Sequence, residues 1–397
     1  MHRTNRSKIG IPIAGTTFFR LVLNTARRFA YPFAPALSRG LGVSLSAITS
    51  LIALNQITSV LGLFIGPLSD RVGYRKMMVF GLALLGIGML VAAIFPSYVT
   101  VMTALFLAGL GKSAYDPAVQ AWASERIPYH RRALVIGLLE TSWSASTLIG
   151  IPVVALFMNR YGWQSPFFLM GVLGCIGSVA LPFLVPKEKQ YPSSGSPSVS
   201  YVRSFSQLLS NRPALGTLGY AFFVSAANDN LFVVYGAWLE KNFGLGLVAL
   251  GLGTSLIGAV ELAGEGLTAA VSDRIGPKKA VLIGLCCSIA SYLLLPWLNT
   301  SLPAALTGLG LLFFTFEFTL VTSLTLSTEI LPGYRATMMA AFFATAGVGR
   351  VVGALMGGFV WQLGGIFATG STSGILTGLA LLCMLWGVNG SSIEKDE

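Results

Sequence analysis

Apolar stretches of about 20 residues, the length a helix needs to cross the hydrocarbon core of a bilayer, return along the whole chain between short polar joints. About twelve such spans follow one another, near 11–37, 44–68, 77–95, 98–122, 133–157, 163–185, 213–239, 244–269, 280–298, 302–327, 336–361 and 372–390. The pattern predicts an all-α integral membrane protein with twelve transmembrane helices. The first span lacks the short apolar core and small-residue cleavage site of a secretory signal, and is read as retained. Between the sixth and seventh spans, residues 187–213 read KEKQYPSSGSPSVSYVRSFSQLLSNRP. The Pro/Ser/Gly-rich first part predicts a flexible linker, and YVRSFSQLL a short amphipathic helix on the inner membrane surface. The expected layout is an N-terminal six-helix bundle over 1–185, a cytoplasmic linker over 186–212 and a C-terminal six-helix bundle over 213–397.

Of the 397 residues, 54% are hydrophobic and 10% charged, against about 25% charged in an ordinary soluble domain. The net charge of +11 suggests nucleic acid only until its placement is read. Of 26 Lys and Arg, 18 fall in alternate loops and the two termini, while the opposite loops hold Arg39, Arg160 and Lys241. By the positive-inside rule both termini are expected in the cytoplasm, and the expected location is a bacterial inner (plasma) membrane. The basic excess is thus a topology signal, and no nucleic-acid partner is expected. The four cysteines (Cys175, Cys286, Cys287, Cys383) fall inside spans and read as small buried hydrophobes rather than a disulfide or metal site. His2 and His130 lie outside the spans without metal-ligand spacing. With no nucleotide-binding loop, metal cluster or catalytic triad in the sequence, the expectation is no enzyme, no metal and no cofactor.

The two halves repeat. SDRVGYRKMMVFG (69–81) aligns with SDRIGPKKAVLIG (272–284) at an offset of 203, with six of thirteen positions identical. Two spans later, ERIPYHRR (125–132) aligns with EILPGYRA (329–336) at an offset of 204. Repeats in the same orientation imply two bundles related by an axis along the membrane normal. The stretch GPLSDRVGYRK, Gly66 to Lys76, resembles the loop signature of the major facilitator superfamily. Its degenerate copy after span eight, the six-plus-six layout, the central linker and PFAPALSRGLGVS (32–44) resemble that superfamily too. The resemblance covers nearly the whole chain. It implies the fold of that superfamily, with two six-helix bundles in pseudo-two-fold symmetry, acting as a monomer.

Gly66 and Gly73 permit close backbone approach and a tight turn, and Asp70 offers negative charge to the positive end of another helix or to an arginine there. The resemblance implies that this helix is span eleven, beginning after Arg335, while Asp273 faces the start of span five near Arg131 and Arg132. Such contacts form a cytoplasmic gate. Arg71 and Arg75, with Lys278 and Lys279, belong either to that gate or to anchorage on lipid headgroups.

Eleven ionisable residues fall within the spans: Arg20, Arg27, Arg28, Lys112 and Arg350, with Asp116, Glu140, Asp229, Glu261, Glu265 and Glu317. Each costs roughly 2.5–3.5 kcal/mol at membrane depth on insertion scales, so each is expected to face a partner or a wet cavity. Spans three, six, nine and twelve carry none, and by resemblance these are the outer helices, with one, four, seven and ten lining the cavity. Arg20, Asn24, Arg27 or Arg28, and Tyr31 recur on one helical face of span one. Arg27 and Arg28 point about 100° apart, so one of them is expected to face the cavity. An arginine fork suits carboxylate or phosphate, and the stripe reads either as an anion-binding wall or as structural ion pairs between helices. Lys112 and Asp116, four residues apart, read either as part of that wall or as a pair with each other. At an offset of 202, Arg27 maps onto Asp229; at 204, Glu317 maps onto Ser113, beside Lys112. The first half carries four cations and two acids in its spans, the second one cation and four acids. The expectation is a cavity with a basic and an acidic wall, Arg27 facing Asp229 across it.

Where many proton-coupled members of the superfamily carry an arginine before a GxG in span four, this chain has Leu105, with Lys112 just after the second glycine. STLIGIPVVAL (146–156) only loosely echoes the span-five stretch of drug exporters. The expected function is a secondary transporter moving a small or amphiphilic organic anion by alternating access, coupled to protons. Asp229 and Glu317 are the first candidates for the coupling acid, and Glu140, Glu261 and Glu265 the second. The expected partners are the anionic small molecule, the proton and membrane lipids. The alternatives are a proton-coupled exporter of hydrophobic or cationic drugs, and a non-transporting receptor or assembly protein on the same fold.

Overall fold

The computed structural model describes residues 7–126, 129–186, 208–330 and 335–388. Most of the linker and its YVRSFSQLL segment lie outside them, as do the side chains of Gly66, Asp70, Arg71, Arg131, Asp273 and Arg335. The described residues are overwhelmingly helical. The first half runs α1 (Ser7–Arg28), α2 (Ala34–Leu41), α3 (Leu45–Val72), α4 (Tyr74–Ile94), α5 (Tyr98–Arg126), α6 (Tyr129–Ala145), a π-helical turn (Ser146–Gly150), α7 (Ile151–Tyr161) and α8 (Ser165–Leu184). The second runs α9 (Arg212–Phe232), α10 (Tyr235–Phe243), α11 (Leu247–Ile275), α12 (Pro277–Leu294) with a 3-10 turn (Leu295–Leu298), α13 (Leu302–Ile330) and α14 (Arg335–Val388).

Eight helices among the described residues are long and apolar enough to cross a membrane. The last of them, Thr337–Gly387, is two spans, because α14 bends at Gly364 and Gly365. Helices α1, α5 and α9 are not among the eight. They carry Arg20, Arg27, Arg28, Lys112, Asp116 and Asp229, and complete the expected twelve.

The internal repeat is written in the backbone. Six glycines have positive φ among the described residues, and they fall into three pairs: Gly42 with Gly244, Gly73 with Gly276, and Gly162 with Gly365. Their separations are 202, 203 and 203 residues, the offsets of the sequence repeat. Gly73, at φ 101° and ψ 135°, turns α3 into α4, and Gly276, at φ 81° and ψ 137°, turns α11 into α12. A side chain is strained in that region of backbone space, so glycine stands at both turns. Spans one and seven are both interrupted, at residues 29–33 and 233–234. In span one the break precedes Pro32, which has no N–H to continue the helical ladder.

The chain forms two compact units, Met1–Lys189 with Leu239–Ala259, and Gln190–Trp238 with Val260–Glu397. In the first, α4 packs on α5 and α8 through glycines. A Cβ on Gly86 would stand 2.7 Å from the Cys175 backbone nitrogen. Ser113 on α5 donates to the Thr58 carbonyl of α3 at 2.8 Å, and Tyr115 to the Thr16 carbonyl of α1 at 2.9 Å. Segment Leu239–Ala259 joins this unit partly through Ser255, whose hydroxyl donates to the Leu148 carbonyl at 3.0 Å. Residue 152, four positions after Leu148, is proline and offers no N–H. Ser255 therefore supplies a donor that the helix itself withholds.

In the second unit, α9 packs along α14, and α12 against α13 and α14. Asn230 donates to Ser373 Oγ at 3.0 Å and to the Thr369 carbonyl at 3.2 Å, and Ser373 donates to the Ala227 carbonyl at 2.8 Å. Tyr220, Leu285, Phe342 and Met384 belong to its apolar core. Phe80, Phe183, Trp297 and Phe367 are exposed, as befits surfaces that face lipid tails. The same surfaces correct the reading of the cysteines. Cys286 and Cys287 are exposed, and Cys175 and Cys383 half-buried. An apolar residue in a membrane helix suits lipid as well as protein, so hydrophobicity alone does not place it inside.

Candidate functional site

Four in-span charges of the first unit meet at Arg20. Its Nε donates to Asp116 Oδ1 at 3.1 Å, its Nη1 to the Leu139 carbonyl at 2.6 Å and its Nη2 to Glu140 Oε2 at 3.1 Å. Lys112 closes on the other carboxylate oxygen of Asp116 one turn away, and Gln120 donates to Glu140 Oε1 at 2.8 Å. The planar fork of arginine lets one side chain bind partners on two helices at once, here α5 and α6 from α1. Two cations and two acids leave this cluster formally neutral, and Arg20 is a clamp between three helices. The i,i+4 pairing of Lys112 with Asp116 is present.

Arg27 and Arg28, the remaining cations of α1, part company as their angular offset requires. Arg27 turns to α3, where its Nη2 binds Gln56 Oε1 and Ser59 Oγ. Gln56 in turn donates to the Tyr31 hydroxyl at 2.5 Å. Tyr31 lies beyond the end of α1 in the turn before α2, so it is not the next position of one straight helical stripe as the periodicity implies. It rejoins Arg27 through Gln56. Arg28 lies over the Trp143 indole of α6, 4.3 Å from the ring centroid, and Lys112 Nζ lies 5.6 Å from the same ring. Asn24, one turn before Arg28, donates to Ser142 Oγ at 3.1 Å.

The in-span charge of the second unit is reversed. Asp229 is buried on α9 with Arg350 Nε of α14 at 3.9 Å from its Oδ2. Both members of this pair belong to the second unit. Glu317 is buried on α13, and a Cβ on Gly264 of α11 would stand 3.2 Å from the Glu317 Cβ. Glu261, also buried, and Glu265, half-buried, flank Gly264 in sequence. Of the gate residues, Gly73 has the turn conformation expected of it, and Arg75 donates from Nη1 to the Pro182 carbonyl at 3.1 Å. The others, Gly66, Asp70, Arg71, Arg131, Asp273 and Arg335, lie outside the described side chains.

A sequence family described as Major Facilitator Superfamily matches residues 16–316 and 217–395. The chain belongs to this superfamily. Its relatives include the MFS-type transporter YceJ of Bacillus subtilis (strain 168), 25% identical over 346 residues, covering 86% of this chain and 87% of YceJ. The 4-hydroxybenzoate transporter PcaK of Pseudomonas aeruginosa is 29% identical over 161 residues, 40% of this chain and 36% of PcaK. Among solved structures, a D-xylose–proton symporter superposes with a TM-score of 0.81 at 18% identity, covering 96% of this chain and 98% of that one. The fold is that of the superfamily, and the superfamily and these relatives are transporters.

Within this MFS member, neutral groups that a pattern of charges does not reveal help to hold the ionisable residues. Gln56, Ser59, Gln120 and Trp143 carry no charge. A usable signal was present in the two glutamines, since an amide at membrane depth also needs a partner. Trp143 had no such signal, because an indole in an apolar span reads as packing.

Proposed function

We propose that the chain moves a small or amphiphilic organic anion by alternating access, coupled to protons. The observation that carries the proposal is the surplus of positive charge in the first half. Four cations face two acids in its spans, and Asp116 and Glu140 are both engaged with Arg20. Arg27 meets an amide and a hydroxyl of α3, and Arg28 the indole of Trp143. A carboxylate suits the planar fork of a guanidinium. The similarity to a 4-hydroxybenzoate transporter supports this reading. In the same reading Arg20 is the clamp, and Asp229 and Glu317 are the first choices for the acid that exchanges a proton, ahead of Glu140, Glu261 and Glu265. The paired loops around Asp70 and Asp273 act as the gate on the cytoplasmic side, with both termini in the cytoplasm of a bacterial inner-membrane protein.

A second reading, export of hydrophobic or cationic compounds, draws on the four acids against one cation in the spans of the second half. Proteoliposomes holding the full chain separate the two. Uptake of aromatic and aliphatic carboxylates driven by a pH gradient is expected, and Arg27→Ala is expected to lower it at least tenfold. Carboxylate flux indifferent to Arg27→Ala, or flux confined to cationic compounds, would sink the anion reading. Asp229→Asn and Glu317→Gln are each tested for loss of pH-gradient dependence; retention in both removes them from the coupling role.

A further inference from the structure

We infer that Arg212 and Trp386 form a headgroup site for an anionic phospholipid, at the membrane boundary where span seven begins and span twelve ends. The inference concerns lipid and stands whichever compound the chain moves. Both residues belong to the second unit, Arg212 as the first residue of α9 and Trp386 two residues before the end of α14. Glycines bring these two helix ends into backbone contact. A Cβ on Gly216 would stand 2.5 Å from the Gly387 Cα, and one on Gly387 would stand 2.7 Å from the Gly216 Cα. That approach lays the Arg212 guanidinium 5.1 Å from the centroid of the Trp386 ring and lets its Nε donate to the Trp386 carbonyl at 2.8 Å. The ring contact and the hydrogen bond hold the head of a long side chain in place, so less freedom is lost when a ligand binds it.

Donors are left over. Among the described residues, neither Nη1 and Nη2 of Arg212 nor the indole Nε1 of Trp386 has a protein acceptor. Arg212 is exposed and Trp386 is 51% exposed, so the pair is open to the medium. The start of α9 and the end of α14 carry opposite partial charges, and no acid among the described residues pairs with Arg212. The charge of this place is therefore the charge of Arg212. A phosphate oxygen accepts from the arginine fork, and an ester oxygen of the same lipid accepts from an indole N–H. The location favours lipid over a soluble anion. Trp386 closes the apolar stretch Thr337–Gly387, at the level where tryptophans meet headgroups. Arg212 follows Lys187, Lys189 and Arg203 on the side of the basic loops, where a negative leaflet attracts cations.

The test places the full chain in phosphatidylcholine vesicles and follows tryptophan quenching as brominated phosphatidylglycerol is added, with brominated phosphatidylcholine as the reference. The chain has seven tryptophans, so the share of Trp386 is taken as the difference between wild type and Trp386→Phe. Phosphatidylglycerol should half-quench that share at about fivefold lower mole fraction than phosphatidylcholine. Arg212→Gln should erase the preference. In the wild type the preference should shrink as salt rises from about 0.05 M to about 0.5 M, a readout that stands even where Arg212→Gln fails to fold. Equal quenching of the wild type by the two lipids, a preference that survives Arg212→Gln, or one indifferent to salt overturns the inference. Loss of the preference to inorganic phosphate at constant ionic strength would mark a site for soluble phosphate, and overturns it as well. So does a preference that emerges only in the variant Glu394→Gln, Asp396→Asn, Glu397→Gln, since the chain's own acids would then be the occupant of Arg212.

Discussion

Asp116 stands between two cations, and removing its charge is the most direct test of the buried cluster. Its carboxylate meets Arg20 Nε at 3.1 Å on one oxygen and Lys112 on the other. Substituting Asp116→Asn keeps the shape and leaves Arg20 and Lys112, whose side chains are 5% and 8% exposed, with Glu140 as the remaining acid of the cluster. Breaking a buried ion pair costs about 3–5 kcal/mol, because the orphaned charge stays behind. Asp116 and Glu140 side chains are 21% and 46% exposed, so partial screening argues for the lower end, about 3 kcal/mol. For a cooperative unit of roughly 200 residues, each kcal/mol moves the melting point by about 2–4 °C. Asp116→Asn should therefore lower it by roughly 6–12 °C. The double variant Lys112→Leu with Asp116→Leu removes one cation and one acid, leaves the Arg20–Glu140 pair balanced, and should melt above the single. The assay is thermal unfolding of purified protein in detergent, followed by tryptophan fluorescence. A single variant as stable as wild type, or a double variant less stable than the single, would refute a cluster held by charge balance.

Two further predictions concern packing. Ser255→Ala should cost about 1 kcal/mol by leaving the Leu148 carbonyl without its donor, and the cost should shrink in a Pro152→Ala background, where residue 152 regains an N–H. Strictly additive losses in this double-mutant cycle, read from melting points, would show that Ser255 is not replacing the missing helix bond. Gly86→Leu should force α4 away from α8, because a Cβ there already stands 2.7 Å from the Cys175 nitrogen. Yield and melting point should both fall, by an amount larger than the 1–3 kcal/mol typical of overpacking (about 2–12 °C); wild-type values for both would contradict the tight helix contact.

The spans were legible because bilayer thickness sets a length that hydropathy reveals, and the repeat because backbone turns at Gly73 and Gly276 demand the same residue. The Lys112–Asp116 pair was legible too, since i,i+4 spacing fixes neighbours within one helix. Partners on different helices were not. Arg20 with Glu140, and Arg27 with Gln56, depend on the rotation and register of α1 against α6 and α3, which no single helix encodes. The symmetry that carries Arg27 onto Asp229 locates equivalent positions in two halves, and within its own half Asp229 meets Arg350 of α14, a pairing that no repeat offset reveals. Tyr31 leaves the helical stripe because the helix breaks before it, where Pro32 marks the turn.

The clamp at Arg20 also has a consequence for how the chain enters the membrane. Its acidic partners lie 96 and 120 residues further along the sequence. At a synthesis rate of about 5–20 residues per second, α1 waits roughly 5–25 s before Asp116 and Glu140 leave the ribosome. During that interval Arg20 lacks the acids that pair with it, and such a charge costs roughly 2.5–3.5 kcal/mol at the bilayer centre. Until α5 and α6 arrive, the charge of Arg20 favours a position of the first helix near the headgroups, where water can solvate it, over the bilayer centre.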